Sequence, residues 1–161
     1  MSVRTIRSLG DRVLRQRARS VTAFDSYLPT LIRDMADTMY KSQGIGLAAN
    51  QIGILKRVIV ADVGSGLVSV INPVIIASEG EQLAAEGCLS VPGVRLWVRR
   101  SQRVVVRGYD SFLQVVELSA NGLLARCLQH EIDHLDGVLI TDRQYALGEE
   151  AEMSYGDCQH A

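Results

Sequence analysis

One amphipathic stretch, from about Gly122 to Leu135, constrains this chain more than any other part of it. It contains the pentad His130-Glu131-Ile132-Asp133-His134. In a helix, residues four positions apart lie one above the other, so both imidazoles can reach a single ion. Asn121 is a candidate N-cap, and Gly137 follows the expected end of the helix. The stretch therefore predicts a helix that presents two histidines and a glutamate together.

A helical wheel places the pentad on the apolar side of this helix. At about 100° per residue, Leu123, Cys127 and His134 fall within about 60° of His130, and Glu131 lies near 100°. The opposite arc carries polar side chains, namely those of Arg126, Gln129, Asp133 and Asp136. A buried, unpaired carboxylate is costly, and a metal ion with its water and substrate would supply partners. The alternative, core histidines bonded to backbone, explains one histidine more readily than two histidines and a glutamate.

A catalytic metal held by the pentad needs a third protein ligand. The best candidate is Cys88 in the segment Glu86-Gly87-Cys88-Leu89-Ser90, because a thiolate is a strong soft ligand. Cys127 is the rival thiol, and we interpret it as a small hydrophobic residue that lines the pocket. A peptidase of the H-E-x-x-H type would instead take a ligand from downstream. The metzincin pattern needs a histidine at position 140, where this chain has Ile140.

The rest of the chain predicts an α+β fold. A first helix is expected from about Ser26 to Lys41, ended by Gly44 and Gly46. Residues 57–62 and 67–72 flank Gly64-Ser65-Gly66 as a hairpin, residues 103–109 and 112–119 form a second hairpin, and 74–77 is a further apolar run. The fold class is thus mainly antiparallel strands and hairpins around a central helix that carries the H-E-x-x-H motif, with one further N-terminal helix.

Composition limits the class of protein and its organisation. A chain of 161 residues with 47% hydrophobic and 22% charged residues is typical of one globular domain. We expect one catalytic domain over residues 1–147 and an acidic, mobile tail over 148–161, which includes a free thiol at Cys158 and a histidine at His160. The net charge of −1 argues against a strongly basic nucleic-acid surface, and three cysteines argue against a disulfide scaffold.

The same composition argues against a membrane protein, because no apolar run reaches the ~18 residues of a span. The N-terminal segment is rich in arginine, from Arg4 to Arg19. We interpret it as the first strand and turn of the mature fold rather than as an organellar transit peptide. A cytoplasmic location is therefore expected.

A third segment, Gly44-Ile45-Gly46-Leu47-Ala48-Ala49-Asn50-Gln51, combines small residues with one amide side chain. It is not a phosphate loop, because the G-K-[ST] element is missing and no strand precedes it. The small residues leave room for a ligand beside Gln51. An amide donor beside a metal can stabilise the oxyanion of a tetrahedral intermediate.

Taken together, the three segments resemble the peptide deformylase family. That family is marked by G-φ-G-φ-A-A-x-Q, in which φ is apolar, by E-G-C-L-S and by Q-H-E-x-D-H. Gly44–Gln51, Glu86–Ser90 and Gln129–His134 match these patterns in full and in the same order. The similarity runs from about residue 4 to about residue 143. It implies a hydrolase that removes the N-formyl group from the formyl-methionine of newly synthesised proteins and releases formate.

The resemblance also implies a set of functional residues. Cys88, His130 and His134 would hold one divalent metal, Fe²⁺ in the active family enzyme, although purified protein can hold Zn²⁺, Ni²⁺ or Co²⁺. Glu131 would move the proton of the attacking water to the leaving amine. The Gln51 amide and the backbone N–H of Leu89 would stabilise the oxyanion.

For the substrate, Ile45, Leu123 and Cys127 are expected to line an apolar pocket for methionine. Gly44 and Gly46 would offer backbone groups to the extended peptide. Arg95 is either an arginine at the rim of the site or an ordinary strand-surface charge. Glu86 either supports the site from behind or is a simple turn carboxylate.

The expected partners are N-formyl-methionyl peptides and nascent chains, with no direct nucleic-acid or membrane binding. Proximity to the ribosome is compatible with this activity. Some bacterial members end in a basic helix proposed to dock there, whereas this chain ends in acidic residues. The alternative functions are a zinc peptidase of the H-E-x-x-H type and a metal-containing binding module.

Overall fold

The computed structural model describes residues 2–146. Within them the chain forms two α-helices, seven strands and three short 3-10 helices. The strands are β1 (Gly46–Ala48), β2 (Val58–Ala61), β3 (Val68–Glu79), β4 (Gln82–Cys88), β5 (Val91–Arg100), β6 (Arg103–Tyr109) and β7 (Val115–Asn121). The helices are α1 (Tyr27–Lys41) and α2 (Gly122–Leu135), and the 3-10 helices span Arg12–Arg15, Ala49–Ile52 and Ile140–Asp142. The predicted α+β class is confirmed.

The strands form two antiparallel sheets. Five of them lie in the order β1-β2-β3-β6-β7, and β4 pairs with β5 as a separate hairpin. Successive side chains of a strand point to opposite faces, so β2 serves two cores. Ile59 and Ala61 pack with α2, whereas Val58 and Val60 pack with α1. Helix α2 thus lies between the two sheets and brings its pentad to their junction.

Helix α1 has the predicted extent but a different terminator. Gln43, not a glycine, adopts the left-handed conformation (φ 56°) beyond its end. The N–H of Gln43 donates to the carbonyl of Tyr40 and that of Gly44 to Met39, which is the Schellman pattern. The prediction that Gly44 and Gly46 end the helix is therefore wrong for Gly46, and Gly44 contributes only its N–H. A Cβ on either glycine would lie within 2.6 Å of a neighbouring side chain, so both allow close approach elsewhere.

Both predicted hairpins are present, with shifted bounds. Strand β3 continues through the apolar run at 74–77, across two register irregularities, so that run is not a separate strand. Strand β7 begins at Val115 rather than at residue 112. The turn is longer because the Asp110 carboxylate accepts from the N–H groups of Phe112 and Gln114, and Leu113 is left-handed.

Two parts of the chain differ from the sequence prediction. The β4–β5 hairpin was not predicted, because alanine, glycine and glutamate dilute the β pattern of β4. The expected N-terminal strand is wrong: residues 2–11 contain none, and the segment forms only the 3-10 helix and a bridge between Arg19 and Lys56. The predictions for the acidic tail, Cys158 and His160 lie outside the described residues. Neither α-helix is long and apolar enough to cross a membrane.

Candidate active site

The three side chains expected to hold a metal lie together in the structure. The Cys88 Sγ is 3.2 Å from the His134 Nε2, which is 3.1 Å from the His130 Nε2. One donor atom from each residue lies within 4.8 Å of the others, and this is the one such group found within residues 2–146. Cys88 ends β4 and enters a two-residue turn, while the histidines are one turn apart on α2.

The approach of β1 to α2 encloses this group on another side. A Cβ on Gly46 would lie 2.3 Å from the Glu131 Oε1 and 2.7 Å from the Cys127 Sγ. The Cys127 thiol donates to the carbonyl of Ile45 at 3.3 Å, and burial raises its pKa well above the usual range. Only glycine fits at position 46, which explains part of the small-residue segment. Cys127 is a buried wall residue, as interpreted from the sequence.

The Glu131 carboxyl group is buried at the same place. Its Oε2 has no hydrogen-bond partner in the described protein. Burial raises the pKa of Glu131 to about 7, even though the charge of His130 acts to lower it. A carboxyl group in this state can both accept and release a proton near neutral pH.

The pKa values of the two imidazoles are shifted in opposite directions. Burial lowers the pKa of His134 well below the usual range, and its Nδ1 has no partner in the described protein. Burial acts the same way on His130, but contacts with Cys88 and Glu86 outweigh it and raise the pKa of His130 to about 10. A divalent cation between these atoms would meet two imidazole nitrogens and the Cys88 sulfur, a donor set that suits zinc or iron.

Glu86 supports His130 from behind. Its Oε2 accepts from the His130 Nδ1 at 2.9 Å, which turns the His130 Nε2 toward Cys88 and His134. Burial opposes ionisation of Glu86, but hydrogen bonds from Arg100 and His130 outweigh it and lower the pKa of Glu86 to about 2. The turn-carboxylate alternative for Glu86 is thus not what the geometry favours.

Gln51 lies on the other side of Cys88 and is held at both ends. Its Oε1 accepts from the backbone N–H of Ala48 at 2.8 Å, so its Nε2 points toward the site. That Nε2 lies 3.8 Å from the Cys88 Sγ and donates to the Ser90 hydroxyl at 3.1 Å. The backbone N–H of Leu89 makes no turn or loop hydrogen bond with the backbone of residues 2–146. The Leu89 N–H and the N–H of Gln51 that is directed at the sulfur therefore lie beside the thiol.

A cleft of about 660 Å³ opens over these groups. All six residues expected to contact substrate line it, together with Gln51, Cys88, Leu89, His130 and Glu131; the six are Gly44, Ile45, Gly46, Arg95, Leu123 and Cys127. Leu123, expected on a buried face, is 54% exposed and forms part of the cleft wall. Arg95 lies on β5 at the cleft and donates to the carbonyl of Ala85 at 3.3 Å, so it is both a strand residue and a rim residue.

The polar residues behind the site were not predicted from the sequence. Arg100 and Arg126 are both buried and both donate to Glu86. The wheel placed Arg126 on the polar arc, but the part of that arc with Arg126, Gln129 and Asp133 faces the β4–β5 hairpin rather than solvent. The available signal was the glutamate in E-G-C-L-S, since a buried carboxylate requires cationic partners.

A thiol and two helical histidines around one point, with a buried glutamate at the foot of a cleft, define a hydrolase that uses a single metal ion. Similarity to known proteins identifies the particular family. A family model described as polypeptide deformylase matches residues 3–150. The chain therefore belongs to the polypeptide deformylase family, whose metal-dependent enzymes remove N-formyl groups from nascent peptides, and it is a hydrolase that acts on N-formyl-methionyl peptides.

Individual relatives agree with this assignment. The peptide deformylase of Caldanaerobacter subterraneus is 54% identical over 143 residues, which cover 89% of this chain and 90% of that protein. The crystal structure of peptide deformylase from Thermotoga maritima has a TM-score of 0.88 at 46% identity and covers 91% of this chain and all of that one. A peptide deformylase from Synechococcus elongatus in complex with actinonin has a TM-score of 0.85 at 46% identity, covering 94% and 87% of the two chains.

Proposed function

We propose that Cys88, His130 and His134 hold one divalent metal ion, with the remaining coordination position open to water and substrate. The observation that carries this proposal is the convergence of one sulfur and two nitrogens within 4.8 Å beside a buried, unpartnered carboxylate oxygen. When bound, the metal lowers the pKa of a water molecule and polarises the formyl carbonyl. Three protein ligands and one open position are the pattern of a catalytic site rather than a structural one.

Glu131 is the group that moves the proton. It accepts a proton from the attacking water as the C–O bond to the formyl carbon forms. It then donates that proton to the peptide nitrogen as the C–N bond breaks, which leaves formate and a free N-terminal amine. Its pKa of about 7 supports both steps, because neither protonation state is strongly favoured near neutral pH.

The Gln51 Nε2 and the Leu89 N–H stabilise the oxyanion of the tetrahedral intermediate. The hydrogen bond from Ala48 fixes the orientation of the Gln51 amide, so its donor already points into the cleft before substrate arrives. Such preorganised donors are most effective where negative charge develops during the reaction.

The open edge of β1 binds the extended peptide. The N–H of Asp62 donates to the carbonyl of Ile45, so the alternation of an antiparallel ladder directs the backbone groups of Gly46 away from β2. The Ala48 N–H, two residues on, points the same way, toward Gln51. The methionine side chain then fits the pocket lined by Ile45, Leu123 and Cys127, and Arg95 contacts the peptide at the rim.

The metal in the active enzyme is ferrous iron. Intrinsic affinity for a Cys-His-His site favours zinc, so availability in the cell decides which metal is loaded. A ferrous ion bonded to the Cys88 thiolate makes the enzyme sensitive to oxygen. The enzyme acts on nascent chains, so it works in the cytoplasm and near the ribosome.

The proposal is tested by metal analysis and formate release. Protein purified without oxygen is analysed for metal, and hydrolysis of formyl-Met-Ala-Ser is measured with iron, nickel or zinc. We expect iron in the purified protein and formate release that Cys88→Ala abolishes together with tight metal binding. Full formate release by Cys88→Ala contradicts the ligand set. The downstream carboxylate of Asp142, which the alternative zinc peptidase could use as a ligand, is already bound by Arg15 and by the Leu139 N–H.

A further inference from the structure

The metal ligands lie on two parts of the fold that meet through side chains. Helix α2, which carries both histidines, packs closely on β1, β2, β6 and β7. Its backbone approaches the β4–β5 hairpin, which carries Cys88, at few points. The position of the thiol relative to the imidazoles therefore depends on whatever side chains join the hairpin to the helix.

Arg126 of α2 contacts both strands of the hairpin. Its Nη1 donates to the Glu86 Oε1 at 2.6 Å and to the carbonyl of Val98 at 3.0 Å. Its Nε and Nη2 donate to the side-chain and main-chain oxygens of Gln82, each at 3.2 Å. Gln82 and Glu86 belong to β4 and Val98 to β5, so one guanidinium binds two strands of the hairpin to the helix.

Other side-chain contacts also join the hairpin to α2. Besides the contact between Glu86 and His130, the Gln82 Nε2 donates to the carbonyl of Gly122 at 2.9 Å. Arg100 of β5 pairs with Glu86 through two hydrogen bonds and reaches Asp133 of α2. Gln129 of α2 exchanges hydrogen bonds with the backbone of Ser101, just beyond β5. The contacts of Arg100 with Asp133 and of Gln129 with Ser101 fix the C-terminal end of β5 against α2. Arg126 is the arginine that reaches from the helix itself to the strand that ends in Cys88.

We propose that Arg126 is a positioning residue for the metal site: it fixes β4 against α2 and thereby holds the Cys88 thiol at ligating distance from His130 and His134. This inference rests on the ligand set proposed above. Arg126 is 5% exposed, so its four hydrogen bonds form away from water, where an arginine fork is rigid. Replacing it by an apolar side chain removes these four hydrogen bonds between α2 and the hairpin, so β4 is held less firmly against α2.

The test uses Co²⁺ as a spectroscopic probe in the full chain. Parent protein, Arg126→Met and Arg126→Lys are freed of metal and titrated with Co²⁺, and the thiolate-to-cobalt charge-transfer band and the dissociation constant are recorded. Arg107→Met is the matched control, because Arg107 forms an exposed pair with Glu117 on the five-stranded sheet. Thermal unfolding of the metal-free forms measures any general loss of stability separately.

We expect Arg126→Met to bind Co²⁺ about 10- to 100-fold more weakly and to lose intensity in the charge-transfer band, as when other groups that orient metal ligands are removed. Arg126→Lys keeps the charge and a single donor nitrogen, so we expect it to recover part of the Co²⁺ affinity and part of the band intensity. Arg107→Met is expected to match the parent in both. A folded Arg126→Met with the parent's band and affinity overturns the inference, whatever its melting temperature.

Two further comparisons separate the possible failures. If the parent shows no charge-transfer band, or if Cys88→Ser keeps the parent's band, the proposed ligand set is wrong, whatever Arg126 does. If Arg126→Met does not fold, Arg126→Lys decides, because it keeps the charge beside Glu86 but cannot make all four hydrogen bonds of Arg126. A weaker Co²⁺ affinity with a diminished band in Arg126→Lys supports the inference, and parent-like values for both overturn it.

Discussion

At the scale of single residues, the site is built on one close approach between a backbone and a side chain. Gly46 brings β1 against Glu131 and Cys127 so tightly that a methyl group at this position has no space. The same approach buries the Glu131 carboxyl group and so raises its pKa. Because Gly46 has no side chain, β1 can cover Glu131, and Gly46 thereby affects the pKa of this carboxyl group.

Gly46→Ala is expected to lower both stability and activity. Its Cβ would lie 2.3 Å from the Glu131 Oε1, so β1 or α2 must shift. We expect a loss of about 1–3 kcal/mol in the free energy of unfolding, as for other overpacked cores. Urea unfolding measures this loss, and formate release measures the effect on the site.

Gly87→Ala is the matched control for the stability measurement. The nearest atom to its added Cβ is 3.9 Å away, and its φ is not in the left-handed region. We expect its free energy of unfolding to equal or slightly exceed that of the parent. Equal stabilities of Gly46→Ala and Gly87→Ala would show that the crowding at Gly46 is relieved without cost.

At the scale of elements, the two helices were predictable and the β4–β5 hairpin was not. Apolar residues recur at helical spacing in α1 and α2, and the ends of both lie within about one residue of the prediction. Strand β4 is stabilised by contacts with other elements, since its buried Glu86 is paired with Arg100 and Arg126. Such a strand has little local signal, since its polar residues acquire partners only in the folded chain.

The residues of the site also differ in how far the sequence predicts them. Cys88, His130, His134 and Glu131 belong to short motifs whose spacing already carries the chemistry. The junction behind them joins residues 28 to 44 positions apart, such as Gln129 with Ser101 and Arg126 with Gln82. No local pattern reports such a pairing, so Arg126 appeared only as part of the polar arc of α2.

Helix α1 also holds the start of the described chain, through Asp34. This buried carboxylate accepts hydrogen bonds from the Ser2 hydroxyl at 2.7 Å and from the Arg4 Nε at 2.9 Å. The Ser2 hydrogen bond is the main cause that lowers the pKa of Asp34, and Arg4 adds to it. A carboxyl group with a lowered folded-state pKa stabilises the fold above its unfolded pKa, and this contribution is lost as the pH falls through the folded-state value.

Asp34→Asn is therefore expected to destabilise the protein at neutral pH. The difference in unfolding free energy from the parent is expected to shrink as the pH falls below about 4, the usual pKa of aspartate. Urea unfolding at a series of pH values measures it. Glu117→Gln, which removes an exposed pair with Arg107, is the control and should have little effect at any pH. A constant difference between Asp34→Asn and the parent would contradict the role of this carboxylate.

At the scale of the whole molecule, the proposed metal site joins the β4–β5 hairpin to α2 and the five-stranded sheet. An ion that binds the folded chain and not the unfolded one adds to the free energy of unfolding by mass action. We expect removal of metal with a chelator to lower the melting temperature, and free Zn²⁺ at about 100 times its dissociation constant to restore about 2.7 kcal/mol. Cys88→Ser should respond far less, and an equal response would contradict a metal bond that spans the two parts.

The most direct test of the central claim measures formate release and metal content on the same sample of Glu131→Gln. This change keeps the size of the side chain and removes its ability to carry a proton. If Glu131 moves the proton beside a metal held by Cys88, His130 and His134, metal content stays at the parent's level while formate release from formyl-Met-Ala-Ser falls by about 10²-fold or more. Formate release close to the parent's rate, with metal retained, would contradict the account.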